Sequence, residues 1–470
     1  MKSLNQPMQT MSTPKRKCNL CGRVRQLVRQ IENDICYTCN IANIVLIPSG
    51  NKAIDDLLRF TQVFPGSMKM QFIPYTNLKN IISIAEGGFS KIYKATWIDG
   101  PVIKWNEANQ NFIRRGETTV ALKELYDSNN ITTQELHLLK KVHRIKDFRP
   151  FNKYYGITLN PITQNFIIVM RYYEYGNIIH YMTDDFYNGS WYDKLYILIN
   201  IIKGLKNLHK YKIIHKDFHG GNIFFFDKSY KTVTISDMGI NKSSLNYKEI
   251  YGIIPYIAPE IFQGQKYTKA SDVYSFGMIM WELMTGRRSF WDQSHDANLI
   301  VAICNGHLPP IVTNAPEGYI ELMKECWCSE PMKRPEPKVI FAKLHDIWRK
   351  EYVCPTEIMK SPDIGPTIDY NPGAIYKNRS LNVFIKSAES IRNSKSQSTV
   401  SEMSKRKIED NLVEENNNID EHIMIKKIKL FDENNDENRF DIDDNEVEFN
   451  IDNEEIKIDI DDEGKISIPF

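Results

Sequence analysis

The sequence predicts an α+β domain in which a small strand-rich part precedes a larger helical part. Three observations lead there. From Leu78 the apolar residues first alternate with polar ones as in strands, then recur three and four apart as in helices, up to about Trp348. Gly and Pro fall at the joints between these stretches. Apolar residues make up 42% of the 470 and aromatic ones 11%, enough for one large core within a chain of two to three domains.

Taken in order, residues 1–17 read as a disordered polar lead without the apolar core of a signal peptide. Residues 18–45 carry two Cys-x-x-Cys pairs. Residues 46–77 read as a linker with a short helix over 51–63, where Ile54, Leu57 and Leu58 have helical spacing between Pro48-Ser49-Gly50 and Pro65-Gly66. The main domain occupies 78–348. Residues 349–470 read as a mostly disordered charged tail, fully so from 361, because Ser, Asn, Lys, Asp and Glu bury too little apolar surface to offset chain entropy. Within it Ile456–Ile460 alternates apolar with charged, a strand pattern that lacks a partner sheet. No internal repeat is present. The net charge of +1 requires neither nucleic acid nor an acidic membrane as partner, although 431–470 hold sixteen acidic residues against three basic. No run reaches the roughly 18–20 apolar residues of a membrane span. The expectation is an intracellular chain, cytoplasmic, with Lys405-Arg406-Lys407 and Lys426-Lys427-Ile428-Lys429 as candidate nuclear-import signals.

Several residues of the main domain could carry chemistry. Ile81–Tyr93 reads as strand, glycine turn, strand; alone this is a hairpin, but the amides near Gly87 and Gly88 could cover phosphates. Val120-Ala121-Leu122-Lys123 ends a strand-like run on a lysine able to reach an α- or β-phosphate. A helical pattern over 131–142 carries Glu135, which could pair with Lys123 or be a surface carboxylate. The helix Leu195, Leu198, Ile202, Leu205, Leu208 delivers His215-Lys216-Asp217-Phe218-His219-Gly220-Gly221-Asn222, and Val233–Ser236 leads to Asp237-Met238-Gly239. Phosphoryl transfer needs this inventory: a carboxylate on the attacking hydroxyl, an amide oxygen and a second carboxylate on magnesium, and a lysine on the other phosphates. Each short motif occurs by chance; their order and spacing do not.

In that ordered set, completed by Ala258-Pro259-Glu260, the sequence resembles the protein kinase superfamily over about 78–348. Ser271–Gly277, Trp281-Glu282, Cys326-Trp327 and Lys333-Arg334-Pro335 resemble the tyrosine-kinase-like group, and with Ile254–Glu260 and the cysteine pairs the kinases expanded in arbuscular mycorrhizal fungi. The resemblance implies a two-lobed fold, a small antiparallel sheet lobe over a larger helical lobe, with ATP between them. It implies protein substrates and Mg2+ or Mn2+. Asp217 would orient the hydroxyl, Lys123 positioned by Glu135 would hold phosphates, and Asn222 and Asp237 would bind the metal. Ala85, Gly87, Gly88, Ile92, Ala121 and Met170 would line the nucleotide, Met170 as gatekeeper. Asp272 would brace the catalytic loop, Glu260 would pair with Arg334, and Ser243, Ser244, Tyr247 and Tyr251 would lie in an activation segment open to phosphorylation.

The sequence departs from the family at Ala85 and Ser90 (glycine turn), Met238, Lys216, His219 and Ile253. The rival readings are therefore a pseudokinase that binds nucleotide without transfer, and an adaptor centred on the cysteine module. Cys18, Cys21, Cys36 and Cys39 have the spacing of a tetrahedral zinc site that would supply the folding energy of so short a unit. Lys15, Arg16, Lys17, Arg23, Arg25 and Arg29 make it basic, which permits nucleic acid as a partner without requiring it. The acidic tail is expected to fold back on this front or on the main domain.

Overall fold

The computed structural model describes residues 16–25, 34–63, 69–106, 109, 111–145, 150–184, 186–227, 231–237, 249–394 and the strand pair 459–460 and 466–467. The cysteine module opens with a short antiparallel ribbon, β1 (Arg16–Lys17) and β2 (Val24–Arg25), followed by helix α1 (Tyr37–Val45). The spacing of Ile54, Leu57 and Leu58 yields helix α2 (Lys52–Val63), started by the Asn51 side chain, which accepts from the amides of Ala53 and Ile54. The connector is more than a linker. Its three apolar residues are fully buried, and β3 (Gln71–Phe72) joins the sheet that follows.

That sheet forms the small lobe. After β3 come β4 (Leu78–Glu86), β5 (Ser90–Trp97), a separate hairpin of β6 (Val102–Asn106) and β7 (Asn111–Arg114), β8 (Thr118–Leu125), helix α3 (His137–Val142), β9 (Tyr154–Leu159) and β10 (Phe166–Arg171). The order is β3-β9-β10-β8-β5-β4, antiparallel throughout except for β3 beside β9. The stretch between the second and third strands of the domain is thus the β6–β7 hairpin, tied back where Arg114 donates to Gln71 Oε1 at 2.7 Å. Helix α3 buries Leu139 and Val142 in the same apolar cluster as α2.

The helical lobe begins with α4 (Ile178–Asp184) and α5 (Trp191–Lys210), the latter started by a reciprocal capping box between Ser190 and Asp193. Then come the hairpin β11 (Ile223–Asp227) and β12 (Thr232–Ile235), the strand β13 (Tyr251–Gly252), and helices α6 (Pro259–Phe262) and α7 (Lys269–Thr285). Helix α7, buried on all sides, ends on Gly286, whose φ of +72° and closeness to the Phe186 ring exclude a side chain. The helices α8 (Ala297–Cys304), α9 (Tyr319–Cys326) and α10 (Pro337–Val353) complete the lobe, α10 lying against α5.

The expectation of disorder from residue 361 is corrected for 361–394. This stretch runs back over the helical lobe, forms β14 (Arg379–Ser380) against β13, and continues as helix α11 (382–394) with Leu381, Ile385 and Ala388 buried in the main core. Those three positions, four and three apart, supply the apolar face that the polar composition obscured. In the separate unit 405–470, Asp459–Ile460, the last two residues of the alternating run, pair antiparallel with Ile466–Ser467, while 456–458 lie outside the described residues. The lysine clusters at 405–407 and 426–429, and most of the acidic stretch expected to fold back, lie outside the described residues. No described helix is long and apolar enough to cross a membrane.

Candidate active site

The loop 215–222 between α5 and β11 is held from below. Asp272 on α7, 1% exposed, accepts from the amides of His215 (2.9 Å) and Lys216 (3.0 Å), and its Oδ2 lies 2.8 Å from His209 Nε2. Two amide bonds to one carboxylate fix the left-handed turn at Lys216, φ +69°. His215 spans to the next strand, its Nε2 donating to Ser236 O at 2.9 Å. Burial pushes its pKa down, so the ring is neutral with its proton on Nε2.

Asp217 and Asn222 meet on this platform. Asn222 Nδ2 donates to Asp217 O at 2.9 Å and approaches Oδ2 at 3.4 Å, and Ser236 N donates to Asn222 O at 2.8 Å, which sets Asp237 beside them. The amide nitrogen is committed, so the oxygen is the atom left to hold a cation. Burial alone would raise the Asp217 pKa; the His219 ring 3.5 Å away and the amide of Asn378, donating at 2.8 Å, outweigh it and hold the carboxyl well below the usual carboxylate range. His219 Nδ1 in turn accepts from Gly221 N at 3.1 Å, which leaves Nε2 facing Asp217.

From above, β8 delivers Lys123, 4% exposed, whose Nζ lies 2.8 Å from Asp237 Oδ1. Asp237 has φ +53° and keeps a third of its side chain open, 29%, so a second ligand can reach it. The antiparallel register sets Ile92 opposite Lys123 and Met170 opposite Ala121, with Met170 and Ala121 buried. Ala85 lies near the end of β4 opposite Ile92, and Gly87 and Gly88 form the exposed turn to β5, closed by Gly87 N donating to Ser90 O at 2.9 Å. Its Phe89 meets the Tyr251 ring edge-on at 4.4 Å, so the turn is folded down on the lower lobe.

Glu135 does not touch Lys123 in this structure. Its carboxylate accepts from Thr132 N (2.6 Å) and Thr132 Oγ1 (2.8 Å), while Glu135 N donates back to Thr132 Oγ1. The expected helix over 131–142 is reduced to α3, residues 137–142. Thr132-x-x-Glu135 is a capping-box sequence, and its bonds close the turn that precedes α3, whose own N-cap, Leu136, makes no side-chain bond. That signal was readable. Asn152 was missed: buried, it donates to Met170 Sδ and to Ser236 Oγ, both at 3.1 Å, and so links the cleft wall to the residue before Asp237. Met238, Ser243, Ser244 and Tyr247 lie outside the described residues.

In the helical lobe Arg334 grips Glu260 with two bonds of 2.7 and 2.8 Å, both side chains at most 4% exposed. The four cysteine sulfurs at the other end of the chain lie within 4.8 Å of one another, with Cys21 and Cys36 Sγ 3.9 Å apart. A tetrahedron with Zn–S of about 2.3 Å has edges of about 3.8 Å, so the set fits such an ion. Backbone amides draw the Cys18 thiol down to about 6 against its burial, whereas burial and neighbouring sulfurs push Cys36 and Cys39 up. A cation among them would reverse that rise. Across a cavity of about 640 Å3 lined in part by Ile41, Lys104, Arg115 and Lys153, the module faces the small lobe.

Residues 78–344 match the family model described as protein tyrosine and serine/threonine kinase, and the chain belongs to that family. Among curated proteins it is 29% identical over 309 residues to a probable serine/threonine-protein kinase, roco5, of Dictyostelium discoideum, covering 60% of this chain and 10% of that protein. It is 26% identical to a probable LIM domain-containing serine/threonine-protein kinase of the same organism, with 56% and 38% covered. A putative serine/threonine-protein kinase/receptor, R826, of Acanthamoeba polyphaga mimivirus is 29% identical, with 56% and 15% covered. The chain thus spans between a tenth and two-fifths of these relatives' lengths.

Proposed function

We propose that this chain is an ATP-dependent protein kinase that transfers the γ-phosphate to Ser or Thr hydroxyls of intracellular proteins. The observation that carries the reading is the convergence of Lys123, Asp237, Asn222 and Asp217 through direct bonds and one shared backbone link, in a cleft between two lobes. Magnesium, or manganese, would be held by Asn222 and Asp237, with Lys123 on the α- and β-phosphates and the turn at Ala85, Gly87 and Gly88 above them. Ile92, Ala121 and Met170 would line the base. Asp217 orients the incoming hydroxyl; held so far below the usual range, it takes the proton late, when the oxygen is already bound to phosphorus. Glu135 would reach Lys123 only by leaving Thr132, a rearrangement by which activity could be set. Ser/Thr specificity is supported by the serine/threonine-protein kinases among the relatives, and the motifs within 254–335 resemble the tyrosine-kinase-like group. The cysteine module would hold one Zn2+.

The test is γ-phosphate incorporation into a generic protein substrate, with magnesium and with it chelated, followed by phosphoamino-acid analysis. Phosphoserine and phosphothreonine that vanish on chelation are expected. A folded chain that binds nucleotide, shown by a thermal shift, yet transfers nothing would establish the pseudokinase instead. Zinc is checked by metal analysis: one equivalent in the native chain and none in Cys36→Ser.

A further inference from the structure

The segment after the last helix of the main domain lies in the cleft, and it lies there in an ordered way. Asn378 Nδ2 donates to Asp217 Oδ2 at 2.8 Å, the carboxylate that would hold the attacking hydroxyl. The next two residues form a strand, Arg379 opposite Gly252 and Ser380 opposite Tyr251, on the segment between Asp237 and Glu260. Leu381 N donates to Ile250 O at 2.9 Å, and the Leu381 side chain is fully buried. Two residues before Asn378, Tyr376 donates to Ser289 O at 2.9 Å and lies 3.9 Å beneath the Arg288 guanidinium. Above, the position of a Cβ on Gly88 is 3.4 Å from Asn378 O, so the glycine turn rests on this backbone.

We propose that residues 376–381 are a built-in substrate mimic: they fill the groove for an extended substrate peptide, with Asn378 in the place of the phosphoacceptor. This rests on the kinase reading above. An asparagine amide gives Asp217 the N–H where a substrate gives an O–H, but it has no oxygen nucleophile to accept phosphate. The contacts also define the substrate class. A peptide held the same way adds a strand to β13, with an aromatic residue two positions before the acceptor under Arg288 and an aliphatic one three positions after it, in the Leu381 pocket. Its backbone, rather than a charged patch, supplies most of the contacts.

Replacing Asn378 by serine turns the mimic into a substrate in cis. The hydroxyl oxygen attacks the γ-phosphorus, the bond to the β–γ bridging oxygen breaks, ADP leaves with that electron pair, and the hydroxyl proton passes to Asp217. A serine hydroxyl is one bond shorter than the asparagine amide, which leaves the segment room to settle toward Asp217.

The experiment uses the full chain with magnesium and ATP in three forms: native, Asn378→Ser and Leu381→Asp. Mass spectrometry should find phosphate at position 378 in Asn378→Ser, and transfer to a generic substrate should rise about tenfold or more in Leu381→Asp as the buried anchor is lost. A peptide of sequence 373–390 carrying Asn378→Ser should be phosphorylated by the Leu381→Asp chain, and the same peptide without that change should inhibit it. Phosphate on other sites but never at 378, with transfer by Leu381→Asp equal to native, would overturn the mimic and leave the kinase standing. No transfer by any form would overturn the kinase reading, and the mimic with it. If Leu381→Asp fails to fold, Asn378→Ala carries the same comparison.

Discussion

The two halves of the site are built differently. The lower half is tied to the core of the helical lobe: Asp272 holds two consecutive amides of the loop 215–222, His215 bonds across to Ser236, and Glu260 and Arg334 form a bidentate buried pair nearby. In the upper half Lys123 reaches a partly open Asp237 through a single bond, while Glu135 is taken up by Thr132. A buried, doubly bonded pair has no cheaper partner to exchange for, whereas a single bond beside solvent does. On the function proposed above, the lower half is the part set for chemistry, and the upper half is the part whose state can change.

The largest expected effect sharpens the rigid side of that contrast. Arg334→Leu leaves Glu260 buried and unpaired and should cost about 3–5 kcal/mol, read by chemical denaturation. A loss below about 1 kcal/mol would place the pair among the exchangeable ones. Lys194 on α5 breaks the rule that the lower lobe pairs its charges. It is fully buried, its Nζ has no hydrogen-bond partner among the described residues, and it lies 3.7 Å from the Phe186 ring centroid. Burial pushes its pKa down to about 7. Lys194→Met should stabilise the chain by about 1–3 kcal/mol at pH 6, where the lysine is charged in both states.

Acid should act on the buried imidazoles. His143, His215 and His295 all have folded-state pKa values lowered, first of all by burial. The unfolded chain then binds protons that the folded chain refuses, so their contribution is present above the unfolded value of about 6.5 and lost as pH falls below it. Each adds a slope of up to about 1.4 kcal/mol per pH unit there. Thermal stability flat from pH 7 to pH 5 would contradict this. The smallest effect concerns the changeable half: Glu135→Ala removes the bonds to Thr132 that close the turn before α3 and should cost about 1 kcal/mol of stability or less. If transfer falls more than about tenfold as well, the carboxylate leaves Thr132 for Lys123 during catalysis; unchanged transfer would leave it a partner of Thr132 alone.

Much of the lower half was legible in the sequence. The spacing of His215, Asp217, Asn222 and Asp237, and of Glu260 and Arg334, survives in the structure because each sits at the end of a strongly periodic element whose register the core dictates. The upper half was less so. Lys123 falls on a strand as expected, but the helix expected over 131–142 starts only at His137 and leaves Glu135 in the turn before it; whether that carboxylate bonds Thr132 or the lysine is a competition that spacing cannot rank. The segment 361–394 was missed because its composition is that of an unfolded tail. Leu381, Ile385 and Ala388 make an apolar face only against a surface the rest of the chain has to build first.

The most direct test of the central claim is the rate of phosphate transfer by Asp217→Asn beside the native chain, with thermal stability measured on both. The account predicts a loss on the order of 10^3-fold with folding intact, since the amide keeps the size of the side chain but cannot take the proton. Transfer by Asp217→Asn within a few-fold of native would contradict it, and would move the chemistry away from the residues assembled here.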